Sequence, residues 1–271
     1  MESYFALRNV VNAGQKRGDT LIGVGGWAYL PIKHANKLEV CARLYDFVEL
    51  NSTYYKLPSI LSVRKWRTQV PESFEFTVRA NRKLTHETHL KPTEENFRLF
   101  ERMLEISESL KARVLHFQFP STFEVTKRVV ADWRDFFKSA PKKNEGPHYA
   151  FEIRNLVSAN SKEVRSFLAE NDIIPTADAS KDKVEPSAES KIVYSRVFGH
   201  GDHTQWSFDS SELEEMKERL ESIPAKRRYV TFHNITMYED ASRMRSLVKG
   251  STDNQNVVAR ILNKGPVLQL D

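Results

Sequence analysis

Eight short apolar runs, seven of them followed by a helical pattern, constrain this chain more than any other feature. The strand-like runs cover residues 21–26, 47–51, 74–81, 112–119, 148–155, 173–178, 191–199 and 227–234. Apolar residues at helical spacing fill 36–46, 59–69, 93–110, 126–140, 161–171, 209–223 and 238–250. Polar start signals mark several of these, such as Thr93 with Asn96, and Asp209 or Ser210. Only the connection after the sixth strand lacks a helical pattern. Strands that alternate with helices pair in parallel, and eight of them in 271 residues predict an α/β fold, a single (β/α)8 TIM-type barrel. An open doubly wound sheet is the alternative. Residues 20–250 form the barrel in this reading. Residues 1–19 form a short extra helix capping its bottom, and 251–271 form a tail with an apolar run of its own.

The stretch "FVELNSTYYKLPS" (47–59) tests which way the strands face. Glu49 and Asn51 share one parity, while Val48 and Leu50 share the other. Alternate residues of a strand point to opposite faces. The same alternation recurs around Phe76 and Val78, Phe117 and Phe119, and Phe151 and Ile153. The apolar parity is therefore expected to face the helices and the polar parity the barrel axis. Active sites of such barrels lie at the C-terminal strand ends. Those ends carry Trp27, Glu49, Asn51, Arg79, Asn81, His116, Gln118, Glu152, Arg154, Asp178, Arg196, His233 and Asn234.

Three carboxylates (Glu49, Glu152, Asp178) then face three guanidiniums (Arg79, Arg154, Arg196). Arginine forks match phosphate and carboxylate oxygens. A divalent metal prefers an excess of carboxylates or histidines. An anion site without a cofactor is the expectation. A metal on Glu49, Glu152 and Asp178 with His86 or His233 is the alternative. The plainer reading is a salt-bridge network that only holds the strands in register. Buried ion pairs stabilise weakly, so a barrel built for stability alone would use Val, Ile and Leu there.

Lys plus Arg number 41 against 36 Asp plus Glu, a formal charge of +5, which admits an anionic partner. The loop "RANRKLTHETHLK" (79–91) concentrates Arg79, Arg82, Lys83 and Lys91 against Glu87, with His86 and His89 added. Arg82, Lys83 and Lys91 are candidates for nucleic-acid contact, if the loop is more than a solvated basic turn. Trp27, Tyr54 and Tyr55 offer stacking surfaces. A lone cysteine, Cys41, sits on an apolar helix face; it excludes a disulfide framework and fits a reduced, cytoplasmic setting. No run is long and apolar enough for a membrane span, the N-terminus is no signal peptide, and no membrane partner is expected. The oligomeric state is not legible.

Three functions compete. The first is a phosphoester hydrolase, most plausibly acting on DNA or RNA. Arg79, Arg154 and Arg196 hold the phosphate, Glu49 or Glu152 acts as base, and His86 acts as acid. Asp178 completes the catalytic set, and Trp27, Asn51, Tyr55, Gln118 and Asn234 complete the ligand-binding one. The second is a metal-independent enzyme on a small phosphorylated or carboxylated sugar. The third is a non-catalytic nucleic-acid-binding module.

The motifs "IGVGGWAY" (22–29), "FVELNSTYYKLPS", Trp66, Pro71 with Phe74 and Phe76, "LTH" (84–86), "FQFP" (117–120), "FEIRN" (151–155) and "YSRVFG" (194–199) resemble the YecE-like domain-of-unknown-function family. The resemblance runs in order from about Leu21 to Val248 and implies a TIM-barrel-like fold. It implies no settled reaction. Asn155 and Phe198 stand where histidines are common in that family, and Arg79 where lysine is common. His200 and His203 are the substitutes nearby.

Overall fold

The computed structural model describes residues 18–32, 35–141, 146–201 and 205–250. The N-terminal helix expected over 1–19 lies almost wholly outside the described residues, and the 251–271 tail and His203 lie wholly outside them. The first strand begins at Asp19, one residue before the expected boundary.

The strands are β1 (Asp19–Val24), β2 (Phe47–Leu50), β3 (Glu75–Arg79), β4 (Val114–Phe119), β5 (His148–Ile153), β6 (Ile174–Pro175), β7 (Ile192–Val197) and β8 (Arg227–Phe232). The helices are α1 (Lys37–Leu44), α2 (Ile60–Thr68), α3 (Glu94–Leu110), α4 (Lys127–Ser139), the single turn α5 (Leu156–Ala159), α6 (Lys162–Glu170), α7 (Ser210–Ser222) and α8 (Met237–Lys249). All strand pairings are parallel, in the order β6-β5-β4-β3-β2-β1-β8-β7. The ring is nearly closed, as the alternation requires. Residues 176–191, between β6 and β7, hold no helix.

Helix starts follow local chemistry. The side chains of Asn36, Ser59, Thr93, Thr126, Ser161 and Asp209 each accept a backbone N–H of the first turn. Such caps satisfy donors that the helix itself leaves open. Asp209 and Glu212 form a reciprocal capping box.

The weak seam is β6. Pro175 has no N–H to give the ladder, and the strand stops there after two residues. A single bridge, Ala177 to Ser195, joins it to β7. The Ser195 hydroxyl reinforces that seam by donating to the Ala177 carbonyl at 2.8 Å and accepting the Ala179 N–H at 2.9 Å.

Two apolar shells result from the parity. Val48, Leu50, Phe76, Val78, Phe117 and Phe151 point outward into one continuous core under the helices. Phe47, Val114, Ala150, Ile174, Ile192 and Tyr229 fill the barrel's lower interior. Cys41 is fully buried in the outer core, and burial pushes its thiol far up, so it is no nucleophile. No helix among the described residues is long and apolar enough to cross a membrane.

Candidate functional site: an arginine-rich barrel mouth

Above the apolar floor the inward parity turns polar. Arg196 of β7 sits at the centre, 3 % exposed. Its Nη1 donates to Glu152 Oε2 at 2.7 Å, and its Nη2 to Glu49 Oε1 at 3.1 Å. Glu49 is fully buried and also accepts the Tyr194 hydroxyl at 2.6 Å; that hydroxyl lies 2.9 Å from Thr77 Oγ1. His116 lies between the carboxylates, with Nε2 3.3 Å from Glu152 Oε2 and Nδ1 3.8 Å from Glu49 Oε2. Arg196 Nε donates to His233 Nε2 at 3.3 Å, which requires that nitrogen to be unprotonated. Gly25 makes room for this imidazole: a Cβ there would stand 2.3 Å from His233 Nδ1.

Electrostatics follow from this packing. Burial alone would raise both carboxyls. The Arg196 guanidinium outweighs it, helped by the Tyr194 hydroxyl at Glu49 and by the His116 hydrogen bond and Arg154 at Glu152. Both carboxyls are held well below the usual range. Burial and then the same guanidinium push His233 down to about 3, and burial lowers His116 as well. Both imidazoles are therefore neutral at pH 7.

Two more guanidiniums stand toward solvent. Arg79 donates to the Gln118 side-chain oxygen and, at 3.5 Å, to Asn51 Oδ1. It lies 4.0 Å over the Tyr54 ring, and its buried Nε has no acceptor among the described residues. Asn51 is fixed by its own bond to the Gly25 carbonyl at 2.7 Å. Arg154 donates through Nε to Glu152 Oε1 at 2.5 Å. Among the described residues, neither of its terminal nitrogens has an acceptor. Phe198 lies beneath both Arg154 and Arg196, at 5.3 and 5.2 Å, and stacks on His233. His86, half-buried in the π-helical turn Lys83–Glu87, bonds Thr85 Oγ1 at 2.9 Å and meets the Tyr54 ring edge-on. Its pKa is lowered, first by burial and then by Arg79 and Arg154.

Several sequence candidates occupy other places. Asp178 falls three residues beyond the end of β6, in the loop. Its Oδ1 accepts the Ser180 N–H and hydroxyl, and its Oδ2 accepts the Phe198 N–H. Among the described residues its one ion pair is with Lys181, at 3.6 Å, and none is with an arginine. The three-against-three balance read from the strand ends is therefore corrected to two carboxylates against three guanidiniums. With neutral histidines the mouth keeps one surplus positive charge. The side-chain amide of Asn234 donates to the Trp206 carbonyl, Thr236 Oγ1 and Asp240 Oδ2, so it secures the turn into α8. Trp27 packs edge-on against Trp66, and Tyr55 projects into solvent. Arg82 pairs with Glu87 at 3.0 Å and Lys83 with Glu95, while Lys91 is exposed. His200 lies beside α7, in an open groove of about 500 Å³ shared with Lys181, Glu215 and Arg219.

The structure adds Tyr194 and Thr77 to the inner layer, with His116 there as its strand-end position implied, and Phe198 beneath the arginines. Tyr194 shares the parity of Arg196, a signal the sequence carried, but it resembles an ordinary core aromatic. A divalent ion would have to displace Arg196, which already engages both carboxylates. Among the described residues no group of three or more His, Cys, Asp or Glu is arranged to hold a metal.

The family model described as "Protein of unknown function DUF72" matches residues 21–263. The UPF0759 protein YunF of Bacillus subtilis (strain 168) is 31% identical over 121 residues, 41% of this chain. The aligned part spans 43% of that relative, less than half its length. A DUF72 family protein from Thermotoga maritima MSB8 superposes with a TM-score of 0.68 at 20% identity, covering 85% of this chain and 99% of that one. One from Enterococcus faecalis V583 superposes with a TM-score of 0.65 at 22% identity, covering 87% and 99%. The barrel, the order of its motifs and the span of the family match agree: this chain belongs to the DUF72 family of proteins of unknown function.

Proposed function

We propose that the barrel mouth binds a small phosphorylated or carboxylated ligand, of the sugar-acid or sugar-phosphate kind, and moves a proton on it without a metal. The observation that carries this reading is the outer edge of Arg154, unclaimed among the described residues, with both Arg79 and Arg154 near enough to His86 to lower its pKa. Two guanidiniums that share one anion match its oxygens as a fork. The inner layer serves them: Glu49 and Arg196 are buried and mutually satisfied, and Glu152 orients Arg154.

Glu49 and Glu152 are weak bases, because their carboxyls lie far below neutral pH. His86 is the better proton carrier. It is neutral in the free protein, and an anion between Arg79 and Arg154 screens the charges that depress it. Ligand arrival thus raises its proton affinity where the proton is needed.

Isothermal titration with inorganic phosphate tests the reading, comparing wild type with Arg154→Met. Loss of one charge-assisted contact predicts about tenfold weaker binding. Undiminished binding in the variant defeats it.

A nucleic-acid phosphoester is the second reading, supported by exposed Lys91 on the basic loop. Arg82 and Lys83 would have to exchange carboxylate partners for backbone phosphates. Salt-dependent binding of labelled DNA or RNA tests it.

A further inference from the structure

The exposed large apolar side chains of the described residues share one end of the barrel. They are Tyr29, Tyr55, Leu61, Leu156, Val157 and Ile235, between 62 and 85 % exposed. Tyr29 follows β1, Tyr55 follows β2 and Leu61 lies in the first turn of α2. Leu156 and Val157 open α5 directly after β5, and Ile235 follows β8. Each therefore belongs to the mouth end, and none to the floor. Strands β8, β1 and β2 are consecutive in the ring, with β5 on the far side. The apolar groups thus flank the arginine mouth from opposite sides.

This layout inverts the usual protein interface, which has an apolar centre and a polar rim. Here the centre is charged and the rim is apolar. Four of the six are aliphatic, which gives a nucleic-acid strand little to stack on. A lipid surface accepts both parts at once: headgroup phosphates at the centre, and aliphatic and tyrosyl groups at the headgroup–acyl boundary. Charge agrees. The mouth loops 51–59, 80–93 and 154–161, after β2, β3 and β5, carry Lys56, Arg82, Lys83, Lys91 and Arg154 against Glu87 alone, whereas Glu124, Asp178, Asp182 and Asp209 lie in the loops after β4, β6 and β7. The basic side of the mouth keeps an excess of three cations after counting Glu95, the partner of Lys83. Net positive charge within a Debye length of an anionic leaflet is attractive.

We propose that the mouth end docks peripherally on an anionic phospholipid surface, its apolar rim seated in the interface. The headgroup contact rests on the anion site proposed above; the apolar rim does not.

Co-sedimentation of the full chain with vesicles tests this, using phosphatidylcholine alone and phosphatidylcholine mixed with phosphatidylglycerol. Wild type should sediment with the mixed vesicles at low salt and less at high salt. The double substitution Leu156→Ser, Val157→Ser should bind them at least about tenfold more weakly. Its melting temperature and phosphate affinity should match wild type, because both side chains face solvent. Arg154→Met separates the two ideas: it should lose phosphate affinity and keep most vesicle binding through the rim. A wild type that ignores anionic vesicles at low salt overturns the proposal, as does a double-serine variant that sediments like wild type. If the double substitution instead abolishes binding of a single-stranded oligonucleotide, with no vesicle binding by wild type, the rim serves a strand and the lipid proposal falls.

Discussion

Both ends of the barrel place an arginine on a carboxylate, and they differ in what is left over. At the floor, Glu75 accepts Arg227 Nη1 at 2.9 Å and the Tyr229 hydroxyl at 2.6 Å, with exposed Asp19 3.9 Å from the same guanidinium. Acceptors exceed charged donors there. At the mouth, three guanidiniums meet two carboxylates, and Arg154 keeps open donors. Open guanidinium donors for an anion are therefore found at the mouth cluster and not at the Glu75 cluster. The burial differs as well: Glu49 is fully buried, whereas the Glu75 side chain keeps 16 % of its exposure. The mouth network is thus both the more fragile of the two and the one equipped for a ligand.

The largest expected effect separates the two carboxylates. Glu49→Gln leaves the buried Arg196 guanidinium with Glu152 as the remaining one of its two carboxylates and should cost about 3 kcal/mol in denaturant unfolding. Glu75→Gln should cost about 1–2 kcal/mol, because water and Asp19 compensate Arg227. Equal losses would erase the distinction between floor and mouth.

Acid should attack the mouth first. His233 has a folded pKa near 3 and an unfolded one near 6.5, so the unfolded chain binds its proton first as pH falls. The stability it protects is present above about pH 6.5 and declines below it, by up to about 1.4 kcal/mol per pH unit. His116 is lowered too and adds in the same direction. Glu49 and Glu152 have depressed folded values, so their contribution persists to lower pH and fades only below their unfolded range near 4.5. Urea midpoints measured from pH 7 to 5 should fall in wild type and fall less steeply in His233→Gln. A flat wild-type profile contradicts the neutral, buried imidazoles.

Ligand binding sharpens the contrast next. Arg154→Met should weaken phosphate binding about tenfold, while Arg227→Met at the floor should leave it unchanged. Similar losses in both would mean that general charge, not the mouth, attracts the anion.

The smallest effect belongs to the basic loop. Replacing Arg82 and Lys83 with Ala should change stability by less than about 0.5 kcal/mol, since both pairs are solvent-exposed. Phosphate affinity should stay near wild type. If duplex DNA binds, and the double variant flattens the salt slope by about two units, the polymer reading displaces the small-ligand one.

The legible parts of this protein are those governed by neighbours in sequence. Residues i and i+2 of a strand share a face, so Val48 against Glu49 and Phe151 against Glu152 already assign wall and lumen. Caps such as Ser59 and Asp209 act within three residues, and the helices begin where those side chains stand. The missing helix after the sixth strand was equally visible. Which charge meets which was not. Arg196 reaches Glu152 across 44 positions and Glu49 across 147, and nothing local encodes that convergence. Asp178 illustrates the limit. It resembled Glu152 as a strand-end carboxylate, but Pro175 withholds an N–H, β6 stops, and the carboxylate is taken by the loop's own donors. Sequence alone thus determined a barrel with polar groups inside its mouth. Only closure of the ring decided that two carboxylates, not three, face three arginines, because pair energies depend on distances that the chain acquires after it folds.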